Sequence, residues 1–245
     1  MWLFNDYGFS DAFRVAHVIS AVMWMGLLWF FNFVQVPAYA EMDAAVRNSA
    51  LDKLTWRALW WFRWAAVATV GFGLLVIAVF PDGYDGDYFQ SSRGIALLTA
   101  IVMALVMLYN VWMVIWPNQQ VVIGNARNLI AGGEANPDAA AAARKAAMAS
   151  RQNTIFSFPV LFLMVGAAHI FSTGDFDFDP GGTGWLFFLI GVAIVAVLEA
   201  NALGYVSGTG NGGLNVIYET HKNAMYTGFG IIVVLYILAE ILMGN

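Results

Sequence analysis

The chain of 245 residues is 60% hydrophobic and only 11% charged, whereas a soluble domain carries about 25% charged residues. This composition predicts an integral protein of the lipid bilayer, and the formal net charge of −5 argues against a nucleic-acid partner. The sequence contains no cysteine, which excludes disulfides, cysteine-ligated iron–sulfur clusters, thiolate nucleophiles and covalently attached haem c.

Apolar stretches long enough to cross a bilayer, which takes about 20 residues, recur along the chain. They predict an all-α polytopic helical bundle, a single transmembrane domain over residues 1–245 with about six transmembrane helices. Pro37, Pro81 and Pro117 stand at the ends of three spans and are expected to end their helices. The extreme N-terminus carries no basic side chain, so the first span is expected to be retained and not cleaved as a signal peptide. The expected spans are 11–37, 60–80, 95–116, 154–171, 185–205 and 225–242.

The connections between the spans alternate in charge. The second and fourth connections are acidic and contain Asp82, Asp85, Asp87, Asp175, Asp177 and Asp179. The first, third and fifth are basic and contain Arg47, Lys53, Arg57, Arg127, Arg144, Lys145, Arg151 and Lys222. The positive-inside rule therefore predicts that both termini are outside and that the basic connections are cytoplasmic. Within the third connection, the alanine-rich stretch after Asn136 is expected to form a helix that runs on into the fourth span, with a bend near Pro159.

Two of the three histidines are predicted to lie at similar depth in the outer half of the bundle. His17 stands about six residues into the first span, and His169 about two residues before the end of the fourth. Two such histidines on two helices suit the iron of a haem b, which needs no cysteine. In the alternative interpretation, each is a helix-end histidine bonded to a backbone carbonyl or to interfacial water.

A second set of polar residues is predicted at the cytoplasmic ends of the spans. Gln35 follows His17, and Arg151 precedes His169, by about five full helical turns, so each pair shares one helix face. Amide and guanidinium groups there would form a pocket for a planar, anionic, amide-rich small molecule. The alternative is an ordinary solvated rim at the helix ends. The residues of this predicted substrate site are Asn32, Gln35, Arg63, Asn118, Gln119, Arg151 and Asn153.

Glu199 is the one acidic residue well inside an apolar run, in the fifth span. A carboxylate there is expected to be paired or protonated. His221 and Lys222, at the start of the sixth span, lie at matching depth. Two interpretations stay open for Glu199, His221 and Lys222, namely a structural ion pair and a proton relay.

Several of these runs resemble the membrane domain of the bacterial urate hydroxylase family, also called urate oxidase N-terminal. The resemblance extends over nearly the whole chain and is carried by Phe31-Asn-Phe-Val-Gln-Val-Pro37, Arg57-Ala-Leu-Trp-Trp-Phe-Arg-Trp64, Trp116-Pro-Asn-Gln-Gln120 and Ser150-Arg-Gln-Asn-Thr154. It implies a multi-pass protein of the bacterial inner membrane that oxidises urate and passes electrons to a cytochrome. Members of the family typically carry a C-terminal cytochrome c domain. This sequence ends at Asn245 without a cysteine, so the acceptor is expected to be a separate periplasmic or membrane-bound cytochrome.

The sequence thus supports two hypotheses of different classes. The first is a membrane oxidoreductase in which His17 and His169 hold haem b and the amide and arginine side chains orient a purine anion. The second is a non-catalytic subunit, haem-bearing or structural, of a larger respiratory or photosynthetic electron-transfer complex.

Overall fold

The computed structural model describes residues 6–79 and 83–245, and this part of the chain is almost entirely helical. Its α-helices are α1 (Asp6–Trp29), α2 (Val36–Glu41), α3 (Ala44–Ala50), α4 (Trp56–Val79), α5 (Gly86–Gln90), α6 (Ser92–Tyr109), α7 (Trp116–Ile130), α8 (Ala139–His169), α9 (Gly181–Ala202) and α10 (His221–Met243). Three π-helical segments lie between them, at Phe30–Gln35, Leu51–Thr55 and Asn110–Ile115, and a 3₁₀ segment lies at Gly213–Tyr218.

Five helical runs of the described chain are long and apolar enough to cross a membrane. They correspond to five of the six predicted spans and confirm the all-α membrane bundle. The predicted fourth span, 154–171, falls mainly in the second half of α8, which is not among the five. The predicted end of the second span at Phe80, with Pro81 and Asp82, lies outside the described residues. The five runs are Gly8–Glu41, Ala44–Val79, Ser92–Ile130, Gly181–Ala202 and His221–Met243.

Helix α8 differs from the other long helices because protein encloses its middle part. It packs against α6, α7, α9 and α10, and every residue from Arg151 to Ser157 is buried. A helix segment enclosed by protein needs no lipid-facing apolar stripe, so the residues from Arg151 to Ser157 can include several polar ones. The predicted continuation of the alanine-rich helix into the fourth span is confirmed, since α8 runs unbroken through Pro159.

Two prolines do not end their helices, which corrects the expectation from the sequence. The run Gly8–Glu41 continues through Pro37, and the run Ser92–Ile130 continues through Pro117. Each proline closely follows a π-helical segment. The N–H group of the residue before each proline bonds the carbonyl of Phe31 or Val111, one residue further back than in an α-helix. We attribute the continuity to this wider turn, which changes the bonding pattern where a proline ring would otherwise clash with the helix backbone.

The charged connections gather at opposite ends of the bundle, as the alternation of charge predicts. At the acidic end, the Ser92 hydroxyl donates to the Asp177 carbonyl oxygen at 2.6 Å, and Phe176 forms an isolated bridge with Gly244 beside the C-terminus. At the basic end, Arg127 pairs with Asp52, and the Arg144 side chain donates to backbone carbonyls of the 203–212 turn. The side of the membrane that each end faces remains a prediction.

Replacing Gly228 with alanine is expected to lower the free energy of unfolding by about 1–3 kcal/mol. A Cβ there would lie 2.7 Å from the Phe158 ring and 2.8 Å from the Ile155 carbonyl oxygen, where α10 crosses α8. Gly230→Ala is the matched control on the same helix, because a Cβ there meets no atom within 4 Å. Thermal unfolding of both variants in detergent checks this, and equal midpoints would contradict the close approach of the two helices.

Candidate functional site

A set of polar side chains lies inside the bundle, and we call it the polar layer. It draws on the first π-helical segment, the segment after α6, the middle of α8 and the end of α9. All members except the half-buried Glu199 are at most 7% exposed. The polar layer consists of Asn32, Asn110, Arg151, Gln152, Asn153, Glu199 and Asn201.

The depth of the polar layer follows from three helices that begin or end at the acidic end. Asn110 follows Ser92, Glu199 follows Gly181, and Arg151 precedes His169 by the same distance along the chain. Each separation is about five helical turns, which corresponds to about 27 Å. The apolar core of a bilayer is about 30 Å thick. With the acidic helix ends at one surface of a bilayer, the polar layer would therefore lie near the other boundary of the apolar core.

Asn110 connects three parts of the bundle. Its Nδ2 group donates to Asn153 Oδ1 at 3.0 Å and to Glu199 Oε2 at 2.9 Å. The Asn153 amide in turn donates to the Met107 carbonyl oxygen on α6 at 2.9 Å. From a neighbouring face of α8, the Ser150 hydroxyl accepts from the Asn32 amide at 2.9 Å. These bonds connect α8 to α6 and to the first and third π-helical segments, and Asn110 links α8 to α9.

The 3₁₀ segment covers the polar layer from the basic end. The Tyr218 hydroxyl lies 2.8 Å from Gln152 Oε1 and 2.9 Å from the Leu198 carbonyl oxygen. Burial raises the pKa of the Tyr218 phenol above its ordinary value, so the group stays protonated and acts as a donor. The Asn201 amide donates to Asn215 Oδ1 at 3.2 Å.

Five polar atoms of the polar layer are buried without a hydrogen-bond partner. Arg151 stands out, because its side chain is 7% exposed and forms no hydrogen bond or ion pair with any described residue. An unpaired buried cation is costly, so the arrangement favours an anionic ligand beside it. The other four atoms include one donor and three acceptors, which is the pattern that a ligand with both C=O and N–H groups would complete. The five atoms are Arg151 Nη1, Gln152 Nε2, Asn110 Oδ1, Glu199 Oε1 and Asn201 Oδ1.

Four other predicted substrate residues lie beside the polar layer. The Arg63 guanidinium carbon lies 3.4 Å from the centre of the Trp116 ring, a cation–π contact between α4 and α7. Gln35 accepts from the Thr55 hydroxyl at 3.2 Å, and Asn118 bonds a carbonyl of its own helical run. Gln119 Oε1 is buried without a partner. Arg63, Asn118 and Gln119 share no described hydrogen bond with a member of the polar layer, and their grouping with Arg151 in one pocket stays a prediction.

The two histidines proposed for haem face different neighbours. His17 Nδ1 lies 2.7 Å from the Thr69 carbonyl oxygen, and its ring lies against Gly73, where a Cβ would come within 3.0 Å. His169 is exposed and lines a surface pocket of about 480 Å³ at the acidic end, between α8 and α10. The described contacts of the two imidazoles share no residue. Their pairing on one iron remains a prediction.

The acidic and basic residues proposed for a relay or an ion pair are also separated. Among the described residues, ion pairs form only at Arg14–Asp11 and Arg127–Asp52, so Glu199, His221 and Lys222 form none with one another. Glu199 instead accepts a hydrogen bond from Asn110. The His221 ring lies 6.0 Å from the Phe33 ring, centre to centre.

Several residues of this region gain a role only from the structure. Asn110, Tyr218 and Asn215 were not predicted as site residues, although Asn110 is a lone amide in a long apolar run. The π-helical segments also have no sequence signature that we could recognise. Such segments are frequent at functional sites, and two of the three contribute directly to the polar layer.

Comparison with known proteins gives one match. A family model described as urate oxidase N-terminal matches residues 75–197, which is half of the chain. The matched range contains Asn110, Arg151, Gln152, Asn153 and His169. The resemblance predicted over nearly the whole chain is therefore found over its middle part. Neither the curated proteins nor the solved structures contain a significant match.

Replacing Asn153 with alanine is expected to lower the free energy of unfolding by about 1–3 kcal/mol, because it removes the bonds to Asn110 and Met107 inside the bundle. Asn118→Ala is the control, since that amide bonds only the Val114 carbonyl of its own helical run. Chemical or thermal unfolding in detergent measures both. A loss for Asn118→Ala as large as that for Asn153→Ala would contradict the role given to the polar layer.

Proposed function

Since this chain belongs to the urate oxidase N-terminal family, we propose that it is a membrane redox protein that binds and oxidises a planar purine anion of the urate type. The observation that carries the proposal is the buried Arg151 side chain without a partner. Urate at neutral pH is a planar monoanion with carbonyl and N–H groups around its rings. Its charge would complement Arg151, and its ring substituents would complement the unpaired amide atoms of Gln152, Asn110 and Asn201.

The proposed reaction adds water to the purine ring and removes a pair of electrons and two protons. Glu199 suits the role of proton acceptor, because Oε2 is held by Asn110 while Oε1 has no partner. Arg151 would hold the anion in place as the ring changes its charge distribution. The buried amides would fix the orientation of the ring plane. Tyr218 would close the layer towards the basic end by its bond to Gln152.

A haem b is the proposed electron carrier; His17 and His169 would hold it, and when bound it would supply one-electron redox chemistry towards a separate cytochrome. His17 fits an iron ligand, because a hydrogen bond from Nδ1 to the Thr69 carbonyl fixes the ring and leaves Nε2 available. Gly73 leaves room for the imidazole against α4. His169 remains the proposed second ligand.

Replacing Arg151 with methionine is expected to separate stability from ligand binding. Without ligand, the variant should gain about 1–3 kcal/mol, because an unpaired buried charge is removed. Urate at about 100 times its Kd should stabilise the unmodified protein by about 2.7 kcal/mol. The same concentration of urate should leave the free energy of unfolding of Arg151→Met unchanged. Thermal unfolding of the purified protein with and without urate provides the measurement.

Arg47→Met is the control for this test, because Arg47 is an exposed arginine of the basic end and lies outside the polar layer. It should keep the full urate response. An equal urate shift in Arg151→Met and Arg47→Met would contradict the proposed site. Absence of any shift in the unmodified protein, together with a visible spectrum free of haem, would favour the accessory-subunit hypothesis.

Replacing His17 with alanine is expected to abolish a b-type signal in the reduced-minus-oxidised visible spectrum, because the proposed iron ligand is removed. His169→Ala should do the same if both histidines ligate one iron, whereas His221→Ala should leave the spectrum unchanged. A pyridine haemochrome assay on the purified full chain measures the haem content directly. An unchanged signal in both His17→Ala and His169→Ala would contradict the pairing. Reduction of the haem by added urate then tests the redox function.

A further inference from the structure

A second polar site lies at the basic end, outside the polar layer. A pocket of about 560 Å³ opens there between the second π-helical segment, the start of α4 and the end of α7. Its lining combines three basic side chains, one acidic side chain and two indoles. These residues are Asp52, Lys53, Trp56, Arg57, Trp60 and Arg127.

The charges of this pocket are only partly neutralised within the protein. Arg127 Nε donates to Asp52 Oδ1, and its guanidinium carbon lies 4.5 Å from the centre of the Trp56 ring. Only Nε of Arg127 has a described partner, so its two terminal nitrogens remain as donors. Arg57 donates to the Lys53 backbone, while the Lys53 ammonium forms no ion pair with a described residue. Three cations therefore face one carboxylate, which leaves an excess of positive charge.

The surroundings of the pocket place it at a membrane surface. Trp60, Trp61 and Trp64 are about half exposed, and the Trp60 ring contacts the other two edge-on or tilted; we call these three indoles the aromatic belt. Indoles of this kind favour the headgroup level of a bilayer. Trp60 belongs both to this belt and to the pocket wall, so the pocket opens beside the lipid chains.

We propose that this pocket binds a phosphate-ester anion, namely the headgroup of an anionic phospholipid in the leaflet at the basic end. Lys53, Arg57 and the free terminal nitrogens of Arg127 supply the donors for the phosphate oxygens. The exposed faces of Trp60 and its neighbours lie along the acyl chains. The site is separate from the polar layer and does not depend on the proposed urate activity.

The test uses native mass spectrometry of the full chain in detergent, titrated with phosphatidylglycerol or phosphatidylcholine. The unmodified protein should retain phosphatidylglycerol in preference to phosphatidylcholine. The double variant Lys53→Gln/Arg57→Gln should bind phosphatidylglycerol about 30-fold more weakly, since each basic side chain near an anionic lipid contributes about a factor of five. The matched control is Arg47→Gln/Lys145→Gln, which removes two exposed charges of the same end that do not line the pocket.

Loss of binding in the first double variant with retention in the control would support the site. Equal binding of phosphatidylglycerol by both double variants would overturn it. Inorganic phosphate serves as the soluble competitor. If phosphate displaces the lipid at equal concentration, the pocket recognises a free phosphate compound, and the assignment to a lipid headgroup is wrong.

Discussion

The architecture depends on the need to satisfy polar groups that a bilayer cannot hydrate. The polar side chains from Arg151 to Ser157 are buried near the middle of one helix, and a lipid-facing helix with this sequence would be costly. The bundle therefore encloses α8. Asn110 illustrates the result, because one amide group serves acceptors on α8 and α9 at once. The unpaired Arg151 guanidinium is then significant, because every other member of the polar layer makes at least one hydrogen bond.

The π-helical segments belong to the same arrangement. Phe30–Gln35 contributes Asn32 and Gln35, Asn110–Ile115 contributes Asn110, and Leu51–Thr55 contributes the hydroxyl that bonds Gln35. A π turn rotates the residues that follow it relative to an ordinary helix, so it can direct amides inward without ending the helix. The position of Pro37 and Pro117 just after two of these segments fits this explanation. The π-helical segments thus account both for the irregular backbone and for the inward position of these amides.

The sequence predicted the fold well and the candidate site only in part. The length of the apolar stretches and the alternation of charge between the connections are both imposed by the membrane. These two patterns therefore predicted five of the spans and the two charged ends correctly. The enclosure of α8 depends on tertiary packing, and Arg151 was therefore as compatible with a solvated rim as with a pocket. Asn110 was overlooked as a site residue because one amide in an apolar run has no local pattern to mark it. The sequence wrongly predicted that Pro37 and Pro117 end their helices, because the rule that proline ends a helix assumes α-helical hydrogen bonds in the turn before the proline.

The proposed oxidation needs separate exits for protons and electrons, and the residues proposed for them lie at different depths of the bundle. Glu199 lies about five helical turns from the start of α9 at the acidic end, so a proton that it accepts would leave towards the basic end. His17 precedes Asn32 on one continuous run by about four helical turns, and it therefore lies about 22 Å nearer the acidic end. A haem held by His17 would supply electron-transfer chemistry nearer the acidic end than the polar layer. The same separation means that His17 does not touch the substrate, so its loss should remove the electron exit while urate binding at Arg151 persists.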